Sequence, residues 1–324
     1  MRHPVLSFLA AGLLLLSGCK KDADLVNCDL QPSKNTLATF TRTYGAPTQT
    51  FTFNASSSGV FTSSIGNQIL VYPNSFVLPD GRALPVNTSI KIEFREIETK
   101  ANMILSAMPT ISNGQPLESA GEYYFKATAG NTRLRMSGNG RIYMQTANRP
   151  SSTRNNAMQL FFGQNTPNGF NWLPQSQQDS ISGIRTSRDS VNTTGSYFNY
   201  FITLNNDSLG WINCDAFLNV NPNTPVSVAV NGQNVTADNT AIYLVFTNRN
   251  SVLSRGILTV TSTGAAVDFA AIPVGDAVSA IVIRHVDDKY YFGRQDGTVS
   301  AGQTFTPSLR EVTEAELVAE IRRL

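Results

Sequence analysis

Residues 65–129 read IGNQILVYPNSFVLPDGRALPVNTSIKIEFREIETKANMILSAMPTISNGQPLESAGEYYFKATA, and this stretch decides the fold class. Gln68–Tyr72 is a short apolar run that Pro73 ends, because proline has no N–H to give to a strand ladder. Ser75–Leu78 is a second apolar piece. Pro79-Asp80-Gly81 then supplies a turn: proline presets φ, aspartate bonds nearby backbone, and glycine tolerates φ > 0. Ser89–Phe94 alternates strictly, with Ile90, Ile92 and Phe94 on one face and Lys91, Glu93 and Arg95 on the other. That is the period of a half-buried antiparallel strand with a wet side. At Arg95-Glu96 the alternation breaks and Ile97 resumes it in the other phase, as a bulge would cause. Glu118–Glu122 precedes the strand signal Tyr123-Tyr124-Phe125, and Gly121 takes a conformation that side chains resist.

The order apolar strand, Pro-Asn-Ser-Phe (73–76), Asp-Gly turn, charged strand, Leu-Glu-Ser-Ala-Gly (117–121), aromatic strand resembles uncharacterised lipoproteins of Gram-negative envelopes. Ile69–Pro73 followed by the strand from Ser89 is similar to the opening of ZU5-type β-sandwich modules, and Leu209–Asp215 (LGWINCD) also resembles the envelope lipoproteins. The resemblance rests on turns and strand starts, so it implies a sandwich fold and no chemistry.

The beginning of the chain reads as an address. Arg2 and His3 form a short basic end, and Val5–Leu16 is an apolar core too short to span a bilayer as a mature helix. Leu16-Ser17-Gly18-Cys19 fits the lipobox of bacterial lipoproteins: small residues suit the peptidase, and the Cys19 thiol takes the diacylglycerol. The acyl chains would hold the protein to the membrane at ~0.8 kcal/mol per buried methylene. Lys20 stands where an Asp would retain a lipoprotein in the inner membrane, which favours the outer membrane. Lys21-Asp22-Ala23-Asp24 partly resembles the charged surface-export signals of some envelope lipoproteins; a solvated tether is the alternative reading, and both membrane faces stay open.

Composition points the same way. Charged residues are 15% of the chain and the formal net charge is +2. A near-neutral chain lacks the basic face that nucleic acid demands. Abundant Thr, Ser and Asn with many short Val/Ile/Tyr/Phe runs read as an all-β exported protein. With Cys19 spent on lipid, Cys28 and Cys214 are a candidate disulfide pair in an oxidising compartment; two buried or unpaired thiols are the alternative.

Thr36–Tyr44 and Gln49–Phe53 read as a hairpin across Gly45-Ala-Pro47, and Thr132–Met136 with Arg141–Thr146 as another across Gly138-Asn-Gly140. Pro174–Gly195 is almost wholly polar and reads as a linker. Asp-Ser-aliphatic triplets there and just beyond make Ser180, Ser190 and Ser208 candidate O-glycosylation sites by resemblance to bacterial envelope patterns. Short strands recur from Tyr197 to Phe292, and Asn231-Gly232 reads as a tight hairpin turn. At the end, Thr313-Glu-Ala-Glu316 is a capping-box pattern, with Ser308–Glu311 as a second helix start, and Leu317, Val318 and Ile321 form an apolar stripe. Packed on the sandwich, that stripe makes the helix a lid; exposed, it makes the helix a docking element for a partner.

Catalytic signals are sparse. His285 is the one histidine outside the signal segment, and no Cys pair has ligand spacing, so no metal site is expected. No Gly-x-Ser-x-Gly elbow, Ser-x-x-Lys pair or phosphate-cradling glycine loop occurs. Glu93, Glu96, Glu98, Glu118 and Glu122 could pair as glycosidase acids, but Glu93 lies in a charged row with Lys91 and Arg95. Tyr123-Tyr124 and Tyr290-Tyr291 are candidates for an aromatic binding patch, although alternation buries one tyrosine of each pair.

The expectation is therefore an all-β protein: two β-sandwich (Ig-like) units with a short C-terminal α-helix. Its divisions are a signal peptide (1–18), a tether (19–34), a first sandwich (35–148), an irregular linker (149–195), a second sandwich (196–306) and a helix (307–324). The expected role is structural or binding, toward an envelope protein or a glycan, anchored by lipid on Cys19, with no catalytic residue and no cofactor. The alternative is a carbohydrate-acting enzyme or an accessory subunit of a glycan-processing system.

Overall fold

The computed structural model describes residues 36–147, 149–150, 157–167, 169–175, 182–189, 197–204, 209–254 and 258–324. Ser33–Leu324 is one compact unit. Its elements in chain order begin with α1 (Ala38–Tyr44), β1 (Gln49–Asn54), β2 (Gly59–Thr62), β3 (Gln68–Val71), β4 (Phe76–Val77), β5 (Ser89–Ile97) and α2 (Lys100–Leu105). Next come β6 (Ile111–Ser112), β7 (Gln115–Ala129), β8 (Thr132–Arg133), β9 (Arg135–Met136), β10 (Ile142–Gln145) and β11 (Arg149–Pro150). Then follow β12 (Gln159–Thr166), β13 (Gly169–Pro174), β14 (Gly183–Asp189), β15 (Tyr197–Leu204), β16 (Gly210–Phe217), β17 (Asn223–Asn231) and β18 (Thr240–Phe246). The last are β19 (Val252–Ser254), β20 (Thr259–Thr261), β21 (Gly264–Pro273), β22 (Ala277–Val286), β23 (Lys289–Thr298), β24 (Thr304–Phe305), β25 (Arg310–Val312) and α3 (Glu314–Arg322).

The protein is all-β with a C-terminal helix. In the first sandwich, a sheet ordered β1-β5-β7-β16-β12-β13 faces a sheet ordered β11-β15-β10-β3-β2. Ile90, Ile92 and Phe94 of β5 and Phe125 of β7 meet Ile69, Val71, Ile142, Met144 and Ile202 of the opposing sheet in one core. In the second sandwich, β20-β21-β17-β24 faces β19-β18-β22-β23-β25, with Val226, Val228, Val230 and Phe269 packed on Leu244, Ala280 and Val282. A third core joins the sandwiches. Here Ile97, Leu117, Phe161 and Trp172 meet Tyr243, Ile281, Ile283 and Phe292, and Phe40 of α1, Met103 of α2 and Leu317 and Ile321 of α3 fill the space between. β22 is covered on both faces, which accounts for its unbroken apolar run 280–283.

The expected turn at Pro79–Gly81 is present: Gly81 has φ +86, and Arg82 N donates to Asp80 Oδ1 at 3.0 Å. β5 alternates as read, and Lys91 and Lys126 reach Glu93 on its wet face at 3.0 and 3.1 Å. That wet face ends at Arg95, whose Nε donates to Ala46 O at 2.9 Å and whose guanidinium lies 5.5 Å from the Trp211 ring centroid. β5 has no bulge, since its register with β7 is continuous through Ile97. Ile97 is buried because the joining core covers that side, while Glu96 keeps the inward phase. The bulge is on β7, where the register with β16 shifts between Asn213 and Asp215 and Gly121 has φ +142.

Several local readings differ. Thr36–Tyr44 forms helix α1 and not a strand, because Phe40 and Tyr44, four apart, satisfy a helical repeat as well as a two-residue one; their rings lie 5.1 Å apart. Residues 132–146 are not a hairpin, since β9 pairs with β4 while β10 pairs with β3 and β15. Asn231-Gly232 is not a two-residue turn either: β17 pairs with β21, and β18 begins only at Thr240. The stretch 149–195, read as a linker, contributes β11, β12, β13 and β14. Its polar residues are ordered by ladders to β16 and β15, and Leu160, Phe161 and Trp172 are buried anchors. Tyr197–Leu204 and Gly210–Phe217, placed in the second unit from sequence, complete the two sheets of the first. Alternation reveals a strand but not the sheet it joins. Residues 307–324 include β25 before the helix, which begins at the Thr313 start.

Candidate functional site: an uncharged groove beside Phe170

The β12–β13 hairpin carries the site. Gly163 pairs with Trp172, and a Cβ there would run into Phe170, Trp211 and Trp172. The missing side chain lets the Phe170 ring lie edge-on against Trp172 at 4.9 Å. Trp172 is itself locked, donating from Nε1 to Pro109 O at 2.8 Å. Phe170 is thus half-buried at the rim in one fixed place.

The facing wall is the β6–β7 turn. Asn113 (φ +49) and Gly114 (φ +84) both take left-handed backbone, the geometry of a two-residue hairpin turn. The turn is tied to the hairpin reciprocally: Asn113 N donates to Asn171 Oδ1 at 2.7 Å, and Asn171 Nδ2 donates to Asn113 Oδ1 at 3.0 Å. Between these walls lies a groove of about 370 Å³ bounded by Ile111, Asn113, Gly114, Thr166, Phe170, Asn171 and Ser254. Among the described residues, none that lines it is charged. An adjoining hollow of about 190 Å³ shares Phe170 and Ser254 and is lined further by Ala107, Pro109, Ala241 and Leu258, with Thr240 and Tyr243. Amides and hydroxyls next to a fixed aromatic ring suit a polar, uncharged ligand.

A second cluster lies inside the molecule. Glu122 and Asp215 are fully buried at the β7 bulge, and both oxygens of Glu122 and Oδ1 of Asp215 have no hydrogen-bond partner. Burial, with the neighbouring Asp215 charge, holds the Glu122 carboxyl well above its usual range. Burial likewise raises Asp215, against the pull of hydrogen bonds from Ser119 and Asn213 and with a further push from Glu118. The β18–β19 turn lies over this region. Asn250 Nδ2 donates to Glu98 O and Ser119 O at 3.0 and 2.8 Å, and Arg249 reaches Glu118 at 3.6 Å and Asp276 at 2.9 Å. Glu96 and Glu98 belong to a separate network, in which Asn67 Nδ2 donates to both.

The residues singled out from sequence are dispersed. Tyr123 is in the first core with its hydroxyl on Glu98 at 3.0 Å, whereas Tyr124 is half-buried against Trp211 at 5.2 Å. Tyr290 packs on Phe40 and His285, and Tyr291 is half-buried on β23. With Tyr123 interior, the four tyrosines form no single exposed patch. His285 stacks on Tyr290 at 4.4 Å with Nδ1 3.2 Å from Thr36 O, a packed histidine. Cys214 is buried in the first core; its candidate partner Cys28 lies outside the described residues, as do Cys19, Ser180, Ser190 and Ser208. The α3 stripe is buried, so the helix is a lid and the docking-helix reading is overturned. Sequence reading missed the groove, although Asn113-Gly114 between two strands carried the signal for one wall. No protein-family model and no curated protein matches the chain.

Proposed function

We propose that the protein is a lipid-anchored binding protein of a Gram-negative outer membrane, held by diacylglycerol on Cys19, that captures a neutral glycan. The groove beside Phe170 carries the reading. It combines amide and hydroxyl groups from Asn113, Asn171, Thr166 and Ser254 with an aromatic ring, and no described residue lining it is charged. Sugar hydroxyls take such hydrogen bonds, and a ring face covers the apolar side of a pyranose. Glu122 and Asp215 have the raised carboxyls that glycoside cleavage would use, but they are fully buried and line neither described hollow. This favours binding over the enzymatic alternative.

The test is a glycan array probed with the full chain taken from the membrane fraction. Neutral glycans should bind, and Phe170→Ala and Asn171→Ala should each lower the signal at least about tenfold, roughly the loss of one good contact. Binding by acidic glycans alone, or binding unchanged in both variants, refutes the groove. A Cys19→Ser chain that still sediments with membranes refutes the anchor.

A further inference from the structure

The two hollows meet at Phe170 and Ser254 but differ in chemistry. On one side Asn113, Asn171 and Thr166 line a space of about 370 Å³; Asn113 and Asn171 bond each other there, and the Thr166 hydroxyl donates to Gly169 O at 2.7 Å. On the other, Ala107, Pro109, Ala237, Ala241 and Leu258 outnumber the hydroxyl-bearing Thr240 and Tyr243 around about 190 Å³. Pro109 is fixed from behind by the Trp172 hydrogen bond to its carbonyl. Ala107 is held at φ +51, a backbone that alanine seldom adopts and that here follows the end of α2. The apolar side is thus built on rigid supports contributed by both sandwiches.

We infer that the ligand has two parts: a neutral, hydroxyl-rich head in the Asn113–Asn171 lobe and a compact apolar group, an acyl or alkyl aglycone, in the Ala107–Leu258 lobe. The inference rests on the glycan reading and adds the apolar part. A sugar alone leaves the apolar lobe wet, and an apolar molecule alone sets apolar surface against the polar wall of Asn113, Asn171 and Thr166. Only a molecule with both parts, joined across Phe170, covers both surfaces, and each methylene buried adds to affinity.

The experiment titrates the full chain in nanodiscs with butyl glycosides of glucose, galactose, mannose and N-acetylglucosamine, alongside the free sugars and 1-butanol, by ligand-observed NMR. At least one butyl glycoside should bind about tenfold tighter than its free sugar, and 1-butanol should bind more weakly than either. Ala237→Asp places a charge on an exposed residue of the apolar lobe and should lower the glycoside to the affinity of the free sugar. Asn171→Ala should weaken both. Free sugar and glycoside binding equally well overturns the two-part ligand and leaves the glycan reading standing. Binding of 1-butanol as tight as the glycoside, or no binding by any probe, overturns both.

Discussion

Glu122 and Asp215 set the pH behaviour of the fold. Both carboxyls keep their protons in the folded protein at pH values where an unfolded chain has released them. Their contribution is therefore full below the ordinary carboxylate range and declines as pH rises from that range toward the raised folded values. The melting temperature should fall as pH rises above the ordinary carboxylate range, because the unfolded state binds fewer protons there. Glu122→Gln removes one of the two titrations. It should make the decline shallower and stabilise the protein at the alkaline end, where the parent must bury a charge. Equal slopes for the two proteins in thermal melts would refute the assignment. Sequence reading placed Glu122 only as one of five glutamates, because its burial comes from β16 and the β18–β19 turn, which lie far along the chain. Gly121 beside it was legible, since φ +142 leaves glycine a mark that needs no tertiary context.

Among the elements, α3 was the most legible. Thr313 and Glu316 exchange the expected capping bonds, with Glu316 N donating to Thr313 Oγ1 at 3.2 Å and Thr313 N to Glu316 Oε2 at 2.8 Å. Thr313→Ala should cost about 1 kcal/mol, read as a lowered midpoint in urea with an unchanged slope. Loss of α3 alone, with the rest intact, is not expected, because Leu317 and Ile321 are part of the joining core. α1 was illegible for a specific reason: in ATFTRTY both the two- and the four-residue spacing place Phe40 with Tyr44, and what chooses the helix is contact with Tyr290 at 5.5 Å. β14 was illegible for the opposite reason. Its polar sequence carries no period, and its order comes from seven register pairs with β15.

For the molecule as a whole, the two sandwiches are coupled through the joining core and the β18–β19 turn. Asn250 alone bonds two carbonyls of the first sandwich, and Thr110 Oγ1 lies 3.1 Å from Ser251 Oγ. Calorimetry should accordingly show one transition. Asn250→Ala, which takes a donor from both carbonyls, should lower it by about 2–4 kcal/mol, or split it in two if the turn is the main tie. A variant indistinguishable from the parent would place the coupling in the apolar contacts alone. Two sandwiches were legible from strand content and turn residues. The boundary between them was not, because β15 and β16 join sheets begun more than fifty residues earlier, and no local signal records which edge a strand will find.

The tie between Thr110 and Ser251 spans 141 positions of chain, and the bond from Asn250 to Ser119 spans 131. Closing loops of that length is an entropic cost met before any contact rewards it, so these links form late and the chain should reach its native state slowly. Until then the faces bearing Trp172, Phe161 and Ile281 stand open to water. A newly made chain is consequently most vulnerable to sticking to its neighbours in the interval between finishing each sandwich and bringing the two together.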